Sequence, residues 1–443
     1  MIKRLLPTLL LAFGVLSCNK YLEAKPDSLL NVPSTLNDLQ LLLDNYTAFN
    51  NQYPGYLESL ADNYYVSTND WSTMSEAQRN IYLWVKTDNT PDIWEPLYRS
   101  VYYANVVMDN LNMISYSPNL QTTYNNIKGG ALFLRSLYFY TIAELFTLPF
   151  NPETAKSDQG IPLRLSSSFS ENSTRSSLDE TYSRIVSDLK ESANLLPNES
   201  MLKTRPTKAA AYGLLAKVLL TMKRYEEAEE NADKCLSICD SLLDYNTIDP
   251  SSINPFERFN KEVIFQMVSN PMFQLTPYVG KVDSSLYNQY ELNDLRKELF
   301  YTSNGDDTYS FKGDYDGLNQ GSIFGGIVTD EIYLIKAECR ARQGDVSVAM
   351  QTLNKLLEKR WKSGEFVPVT STEPLDSIKK ILIEKRKELV YRGTRWSDLR
   401  RISSESQFAA TIFRTINDQS YVLEPGSPRY AMLIPQIVIS NTG

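Results

Sequence analysis

The sequence predicts a mainly α-helical protein in which pairs of helices form a scaffold that is interrupted by two irregular segments. Three observations support this prediction. Apolar residues recur every three or four positions over residues 34–49, 93–243 and 330–402, which is the period of an amphipathic helix. Capping residues and prolines mark the expected ends of these helices. Residues 50–92 and 244–326 lose this period and are rich in Asn, Asp, Ser and Tyr.

Apolar periodicity indicates the first three helices. Thr35 precedes a helix whose apolar residues fall on one face: Leu36, Leu39, Leu42, Leu43 and Tyr46. The same period runs over residues 93–111 and again over residues 124–145, and Pro149 follows the third helix. Residues 150–175 are rich in Ser, Pro and Asn, so we expect a polar loop there.

Capping signals indicate the next three helices. Ser177 and Glu180 have the spacing of a capping box and begin a helix that ends before Pro197. Thr207 caps the following helix, and a short turn leads from it into a helix over residues 225–243. These last two helices are therefore expected to form a helical hairpin.

The hairpin has the residue spacing of a tetratricopeptide unit. Large and small side chains occupy the positions at which such helices pack: Tyr212, Leu215, Ala216, Leu219, Ala228, Ala232 and Cys235. A second pair is expected at residues 331–360, although Lys336 and Arg340 stand where apolar residues are usual. The two pairs are separated by much more than one 34-residue repeat, so they are not tandem repeats. Generic antiparallel helix pairs are the alternative interpretation.

Composition excludes several kinds of chemistry. The 443 residues include no histidine, which rules out Ser-His-Asp and Cys-His catalysis and His-ligated zinc or iron. A net charge of −8 argues against a nucleic-acid partner, because such proteins normally carry a basic surface. We expect no cofactor. Aromatic residues make up 11% of the chain, and the 28 tyrosines account for the excess.

The first residues predict a lipoprotein signal peptide. Lys3 and Arg4 precede an apolar run that is too short to span a bilayer. The run ends at Ser17-Cys18, which resembles the bacterial lipobox, where a cysteine is acylated and the chain is cut before it. We therefore expect residues 1–17 to be removed, Cys18 to be lipidated, and residues 18–443 to form one domain. An ordinary secreted protein that is cut elsewhere is the alternative.

Short motifs occur in a particular order along nearly the whole chain. They are found at residues 18–22 with Pro26, 93–98 leading to Ala104 and Asn105, 131–139, 160–163, 205–208, 333–338, 384–389, 393–401 and 434–435. Taken together, these motifs resemble the SusD/RagB family of nutrient-binding outer-membrane lipoproteins. No single motif is decisive, and the resemblance lies in their order.

This resemblance implies a SusD-like fold, an α–α superhelical scaffold of tetratricopeptide-like pairs with irregular loops on one side. Members of the family are lipid-anchored on the outer face of the outer membrane. They cap a TonB-dependent, SusC-type transporter and deliver a glycan or, in some branches, an oligopeptide to it. The resemblance also implies binding without catalysis, so we expect no enzymatic activity.

Ligand contacts are expected in the two irregular segments. A sugar presents apolar faces ringed by hydroxyl groups, so its site needs flat aromatic rings beside amides or carboxylates. Such residues cluster around positions 62–71 and 278–315, with Tyr290, Tyr309 and Tyr315 among them. The candidates are Trp71, Tyr65, Asn69, Asp70, Tyr278 and Tyr287. The alternatives are a structural role for Trp71 and ordinary surface positions for the tyrosines.

Several other groups are predicted to be structural. Trp84, Trp94, Trp361 and Trp396 are assigned to the core or to structural positions, and so are Cys235, Cys239 and Cys339. Arg395 and Asp398 are expected in a buried ion pair. The oxygen-rich residues 304–307 and 312–317 could in principle bind calcium, but they do not have the twelve-residue loop spacing, and we interpret them as solvated turns without a metal.

Two other function classes stay open at this point. A carboxylate-dependent hydrolase needs two paired acids, and none of the 53 acidic residues is singled out by the sequence. A periplasmic tetratricopeptide adaptor would need a continuous groove formed by tandem repeats. The interruption between the two predicted pairs counts against such a groove.

Overall fold

The computed structural model describes residues 33–87, 93–170 and 172–442. The predicted signal peptide and the predicted lipidation site at Cys18 lie outside these residues. Within the described ranges, no helix combines the length and the hydrophobicity that crossing a membrane requires.

Ten helices of eight or more residues form the scaffold within the described ranges. They are α1 (Leu36–Leu43), α2 (Trp94–Leu111), α3 (Gln121–Phe146), α4 (Leu178–Leu195), α5 (Lys208–Thr221), α6 (Tyr225–Leu236), α7 (Thr329–Arg342), α8 (Val346–Leu357), α9 (Pro374–Glu388) and α10 (Thr394–Ile402). The predicted caps are present, since Ser177 and Glu180 form a capping box and Thr207 caps α5. The mainly helical prediction is therefore confirmed.

The scaffold helices pack against one another in a continuous array. Each helix from α2 to α8 packs on the next one, and α9 packs on α7. The two predicted tetratricopeptide-like pairs are α5/α6 and α7/α8. They are separated in the sequence, but α6 packs directly against α7, so the two pairs are consecutive in space.

Small residues let the scaffold helices approach closely. Ala216, Ala228, Ala232 and Cys235 are fully buried between α5 and its neighbours. Gly213 in α5 is equally tight, because an added Cβ would lie 2.7 Å from Cγ2 of Ile327. The same pattern of buried small and large residues recurs in the second pair: Tyr333, Ala337, Ala349, Leu353 and Leu356.

The two unusual cations of the second pair lie at the contact between α6 and α7. Lys336 pairs with Asp233 at 2.5 Å, and Arg340 pairs with Glu229. Both acidic residues belong to α6. The departure from the repeat pattern therefore has a physical reason, since charged pairs replace apolar contacts between the two units.

Short elements make up most of the regular structure outside the scaffold. The strands are β1 (Tyr64–Tyr65), β2 (Gln159–Pro162), β3 (Arg175–Ser177), β4 (Val263–Phe265), β5 (Lys281–Val282), β6 (Tyr301–Ser303), β7 (Tyr309–Phe311), β8 (Ile327–Val328), β9 (Ile412–Ile416) and β10 (Gln419–Leu423). They form the antiparallel pairs β1–β5, β2–β3, β4–β8, β6–β7 and β9–β10. Short α-helices cover Tyr46–Phe49, Tyr56–Ser59, Thr68–Thr73, Glu76–Tyr82, Ser284–Tyr287, Arg296–Phe300 and Gln436–Thr442, and 3₁₀ turns cover Pro118–Leu120, Tyr245–Thr247, Phe273–Leu275 and Pro428–Tyr430.

Three of these short elements bear on local predictions. Residues 262–268, which are mostly apolar, look like a short strand in the sequence, and β4 lies within that range. The loop expected at 150–175 contains β2, which pairs with β3 immediately before α4. The apolar stretch at residues 430–439 around Pro435 predicts an extended tail, but the described chain instead ends in the short helix Gln436–Thr442.

Buried ion pairs attach the second irregular segment, residues 244–326, to the scaffold. Arg296 is fully buried and pairs with Asp294 at 2.7 Å and with Glu388 of α9 at 3.1 Å. Arg360, also fully buried, pairs with Glu262 at 2.8 Å and with the same Glu388 at 2.7 Å. A buried carboxylate needs such partners, because an unpaired charge in the core is costly.

Ion pairs also involve the charged residues of α10. Arg395 pairs with Asp62 at 2.7 Å, and Asp398 pairs with Lys385 at 2.9 Å. Both residues are largely buried and ion-paired, as expected. Each of them pairs with a further residue, and not with the other. The three described cysteines are free, and burial raises the pKa of the Cys235 and Cys339 thiols. Among the four tryptophans predicted to be structural, Trp84, Trp94 and Trp396 are buried and Trp361 is partly buried.

Candidate functional site

The pairing of β1 with β5 joins the two loops that were predicted to hold the ligand. Tyr65 stands opposite Lys281, and Tyr64 stands opposite Val282. The strands are only two residues long, and more than 200 residues separate them in the sequence. Tyr65 is thereby brought to the segment that carries Tyr278 and Tyr287.

The β6–β7 hairpin adds a fourth ring to this group. It packs beside β5, and the hydroxyl of Ser310 donates a hydrogen bond to the carbonyl of Pro277 at 2.6 Å. Tyr309 of the hairpin stacks on Tyr287 with ring centroids 3.6 Å apart and an interplanar angle of 15°. We call Tyr65, Tyr278, Tyr287 and Tyr309 the tyrosine patch.

The rings of the tyrosine patch differ in exposure. Tyr278 is 89% exposed, whereas Tyr65, Tyr287 and Tyr309 are partly buried. The ammonium of Lys297 lies 4.7 Å from the ring centroid of Tyr287, close enough for a cation–π contact. Tyr278 thus offers an open ring, while Tyr287 is held in place by its neighbours.

Carboxylates border the tyrosine patch. Burial, followed by the charges of Asp306 and Asp283, raises the pKa of Tyr65. Asp283 caps the short helix that contains Tyr287, because its carboxylate accepts a hydrogen bond from the backbone N–H of Leu286. The patch therefore combines aromatic faces with hydrogen-bond acceptors, which is the combination that a sugar needs.

Trp71 lies on the short helix Thr68–Thr73, which follows β1. Its ring is partly buried against the main core, and the guanidinium of Arg79 lies 5.3 Å from the ring centroid. The indole N–H is buried and has no hydrogen-bond partner among the described residues. The buried Trp396, which was predicted to be structural, also has an indole N–H without a partner among the described residues, so this feature does not set Trp71 apart.

Asn69 and Asp70 occupy the same short helix as Trp71. Asn69 is exposed, and the carboxylate of Asp70 accepts a hydrogen bond from the hydroxyl of the capping residue Ser67 at 2.6 Å. Among the described residues, these side chains share no hydrogen bond, ion pair or ring contact with the tyrosine patch. The six candidates therefore fall into two groups, which are Tyr65, Tyr278 and Tyr287 around the β1–β5 pair, and Asn69, Asp70 and Trp71 on the short helix that follows β1.

Several neighbours of the candidates turn out to be structural. Tyr290 and Tyr315 are buried at 2% and 0% exposure. Asn63 donates a hydrogen bond to Glu58 at 2.8 Å, and Asp62 is held by Arg395. These residues had the composition of a binding loop, but their polar groups are satisfied inside the protein.

The oxygen-rich run at 312–317 was predicted to be a solvated turn, and this prediction is wrong because residues 312–316 are buried. Asp314 and Asp316 are buried, and Asp316 pairs with Arg258 at 3.2 Å. Burial raises the pKa of Asp314 to about 7, so this carboxyl group is partly protonated at neutral pH. The described part of the chain contains no group of three or more acidic or cysteine side chains arranged to hold a metal ion.

A cavity that was not predicted from the sequence lies beside α2. Its volume is about 900 Å³, and its wall includes one face of α2, with Trp94, Tyr98, Tyr102 and Asn105. The remaining walls come from residues 159–169 and 172–175 and from the C-terminal residues Ile434, Val438 and Ile439. The aromatic residues at 94, 98 and 102 recur every four positions, which was the available signal, but Trp94 and Tyr98 were interpreted as part of the core face.

Two family models match the chain. The first is described as starch-binding and associating with the outer membrane, and it matches residues 20–220. The second is described as the SusD family and matches residues 330–430. Together they cover more than half of the chain, and the stretch between them contains the second irregular segment.

A curated relative and several solved structures are similar to the chain. The SusD-like protein P2 of Formosa agariphila is 23% identical over 376 residues, which is 70% of this chain and 71% of that protein. A SusD superfamily protein from Bacteroides thetaiotaomicron superposes with a TM-score of 0.75 at 21% identity, covering 92% of this chain and 98% of the other. A SusD-like carbohydrate-binding protein from Bacteroides vulgatus superposes with a TM-score of 0.70 at 20% identity, covering 91% and 95%. These superpositions support the fold.

Proposed function

The chain belongs to the SusD/RagB family, and from this premise we propose that it is a cell-surface lipoprotein that captures a glycan and delivers it to a TonB-dependent, SusC-type transporter. The observation that carries the proposal is the tyrosine patch. Tyr287 and Tyr309 stack on each other, Tyr65 lies in the β1–β5 pair, Tyr278 lies on the segment that leads into β5, and the carboxylates of Asp283 and Asp306 lie near Tyr65. An oligopeptide is the alternative ligand.

The tyrosine patch suits the surface of a sugar. The exposed ring of Tyr278 can stack on the apolar face of a pyranose, and Asp283 and Asp306 can accept hydrogen bonds from its hydroxyl groups. Tyr287 is fixed by Tyr309 and Lys297, so little conformational freedom is lost when a ligand binds against it. In this proposal the short helix that follows β1 extends the contact surface with Trp71, Asn69 and Asp70.

A binding experiment tests the ligand class. Purified protein is titrated by calorimetry with maltoheptaose, with other neutral oligosaccharides and with tripeptides. We expect an oligosaccharide to bind, and we expect Tyr278→Ala to weaken its binding about tenfold, because stacking on one ring contributes about 1–1.5 kcal/mol. Phe413→Ala is the matched control, since Phe413 is another strongly exposed ring, at 64%, on β9.

Opposite results would redirect the proposal. Binding of tripeptides alone would replace the glycan by an oligopeptide. Equal affinities of the wild type and of both Tyr278→Ala and Tyr287→Ala would remove the tyrosine patch from the site. Turnover of any of these ligands would reopen the hydrolase alternative, because we propose a binding protein without catalytic activity.

Cell experiments test the anchor and the partner. We expect Cys18→Ala to release the protein from the membrane fraction, and we expect external protease to remove the wild-type protein from intact cells. A protected protein would favour the periplasmic adaptor, for which the spatial stacking of α5/α6 on α7/α8 provides a plausible surface. Deletion of the partner transporter gene is expected to abolish ligand uptake, and unchanged uptake would refute the delivery step.

A further inference from the structure

One wall of the cavity beside α2 is formed by a single face of this helix. Trp94, Tyr98, Tyr102, Asn105 and Asp109 follow one another at intervals of three or four residues, so they share a face of α2. Trp94 and Tyr98 pack with ring centroids 4.7 Å apart, and both line the cavity. The N-terminal half of this face therefore presents aromatic rings, and the C-terminal half presents polar groups.

The polar half fixes the loop that forms the opposite wall. The buried amide of Asn105 donates to the carbonyl of Arg164 at 2.8 Å. The carboxylate of Asp109 accepts hydrogen bonds from the backbone N–H and the hydroxyl of Ser167, at 2.8 and 2.7 Å. Because both contacts come from a scaffold helix, the loop holds a defined position across from the aromatic rings.

The fixed loop presents an exposed phenylalanine. Phe169 is 85% exposed and stacks on Tyr102 with ring centroids 5.2 Å apart and an interplanar angle of 28°. Serine hydroxyl groups from the same loop line the cavity next to it. The face of Phe169 that does not contact Tyr102 is therefore open to a ligand.

The charge of the cavity differs from that of the whole protein. None of the described residues that line it carries a carboxylate, although acidic residues outnumber basic ones by 53 to 45 in the chain. Arg164 and Arg175 both line it. The guanidinium of Arg175 donates to the carbonyls of Gly160 and Gln159, at 2.7 and 3.0 Å. Within the described residues Arg175 forms no ion pair with a carboxylate, and these two carbonyls orient its guanidinium.

We propose that this cavity is a second ligand site, which binds an acidic saccharide against the stacked pair of Tyr102 and Phe169 and pairs its anionic group with Arg175. The aromatic rings contact the apolar faces of the sugar, and the serine hydroxyl groups bond its hydroxyl groups. A planar guanidinium suits a carboxylate or a sulfate ester, because it can donate two parallel hydrogen bonds to either group. A volume of about 900 Å³ is in the range of sites that enclose small ligands.

This site is independent of the tyrosine patch. The two share no residue, and the tyrosine patch is bordered by Asp283 and Asp306, whereas the described lining of the α2 cavity has no acidic group. The two sites therefore differ in charge, since acidic and basic groups are mixed at the tyrosine patch, where Lys297 contacts Tyr287, whereas the described charged residues that line the α2 cavity are Arg164 and Arg175. The α2 cavity can bind its ligand even if the tyrosine patch proves not to bind a glycan.

The test compares charged and neutral saccharides on the full mature chain. The probes are trigalacturonate for the carboxylate arm, a sulfated carrageenan tetrasaccharide for the sulfate arm, and maltotriose as the neutral reference. We expect one of the acidic probes to bind more tightly than maltotriose, with an affinity that falls as salt is added. Arg175→Gln is expected to weaken acidic binding about tenfold or more, and Arg175→Lys to restore part of it.

Matched variants separate this site from general charge and from folding. Arg99→Gln removes an exposed cation from α2 outside the cavity, and it should leave acidic binding unchanged. Phe169→Ala changes an exposed side chain, so it should fold normally and weaken binding several-fold, while Phe413→Ala should not. Tyr278→Ala should leave acidic binding unchanged, which separates the two sites.

Each result of these binding measurements either supports or overturns the second ligand site. The proposal is supported if Arg175→Gln and Phe169→Ala weaken the binding of trigalacturonate or of the sulfated tetrasaccharide. The probe that binds then identifies the anionic group as a carboxylate or a sulfate ester. Absence of acidic binding, equal binding of maltotriose, or full affinity in folded Phe169→Ala overturns the proposal. Equal weakening by Arg99→Gln would also overturn it, because the effect would then be one of overall charge.

Discussion

The helical pairs α5–α8 and the second irregular segment between them are stabilised in different ways. The pairs pack through fully buried small and apolar residues such as Ala216, Ala232 and Leu353. The irregular segment is attached by fully buried charges, chiefly Arg296, Arg360 and their carboxylate partners. When buried apolar side chains are shortened, the free energy of unfolding falls in proportion to the group removed. When one member of a buried ion network is removed, its partner is left as an unpaired buried charge, and the free energy of unfolding falls steeply. The two regions should therefore respond differently to substitution.

Removal of a central arginine should have the largest effect. Arg360→Ala leaves Glu262 and Glu388 buried with one fewer cation, so we expect the free energy of unfolding to fall by about 3–5 kcal/mol. Urea denaturation followed by circular dichroism measures this loss. Lys234→Ala is the control, since its pair with Glu230 is exposed, and it should cost less than 1 kcal/mol. Similar losses for the two variants would mean that the buried network is not what attaches the segment.

One buried carboxyl group of the first irregular segment, Glu58, should contribute to the pH dependence of stability. Burial raises the pKa of Glu58 to about 7, despite hydrogen bonds from Asn63 and from the backbone N–H of Gly393. Its folded pKa is thus above the unfolded value near 4.3, so the folded protein holds a proton that the unfolded chain releases. The stability that this group contributes is complete below pH 4 and is lost as the pH rises through 7.

Glu58→Gln tests this assignment. Between pH 5 and 7, we expect the free energy of unfolding of the wild type to fall by about 2 kcal/mol because of this one group. The variant should lose that part of the slope, as measured by urea denaturation at each pH. Glu230→Gln on exposed α6 should keep the wild-type slope. Identical slopes in Glu58→Gln and the wild type would exclude Glu58 as the source.

The scaffold itself should be sensitive to a single methyl group. In Gly213→Ala the new Cβ lies 2.7 Å from Cγ2 of Ile327, and this β-branched side chain cannot rotate away freely. Overpacking outweighs the gain in helix propensity, so we expect a net loss of about 1 kcal/mol. Gly130→Ala in α3 is the control, because its nearest contact is 3.3 Å, from a leucine methyl group, and it should be neutral or slightly stabilising. Thermal unfolding of the two variants gives the comparison, and a stabilised Gly213→Ala would contradict it.

The same contrast explains what the sequence could predict. Caps and apolar periodicity act within a few residues, so α1 to α8 could be placed from local patterns. The attachment of the irregular segments depends on pairs such as Asp62 with Arg395, which are 333 residues apart and leave no local pattern. Tyr65 and Tyr278 could be proposed from composition, but their proximity depends on two-residue strands that no periodicity reveals. The aromatic residues of α2 were visible, but a helical spacing alone does not tell a cavity wall from a core face.

The smallest effect is expected at the contact between α6 and α7, where the scaffold uses charges instead of apolar residues. The side chains of Lys336 and Asp233 are 24% and 41% exposed, so water screens their interaction. Lys336→Leu restores the apolar residue that is usual at this position, and the added burial offsets the lost pair, so we expect a change within about 0.5 kcal/mol in urea denaturation. The reciprocal variant Asp233→Leu is the control for partner loss, and it should behave in the same way. A loss above 2 kcal/mol in Lys336→Leu would show that this pair behaves like the buried network around Arg360, and the distinction between the two regions would not hold.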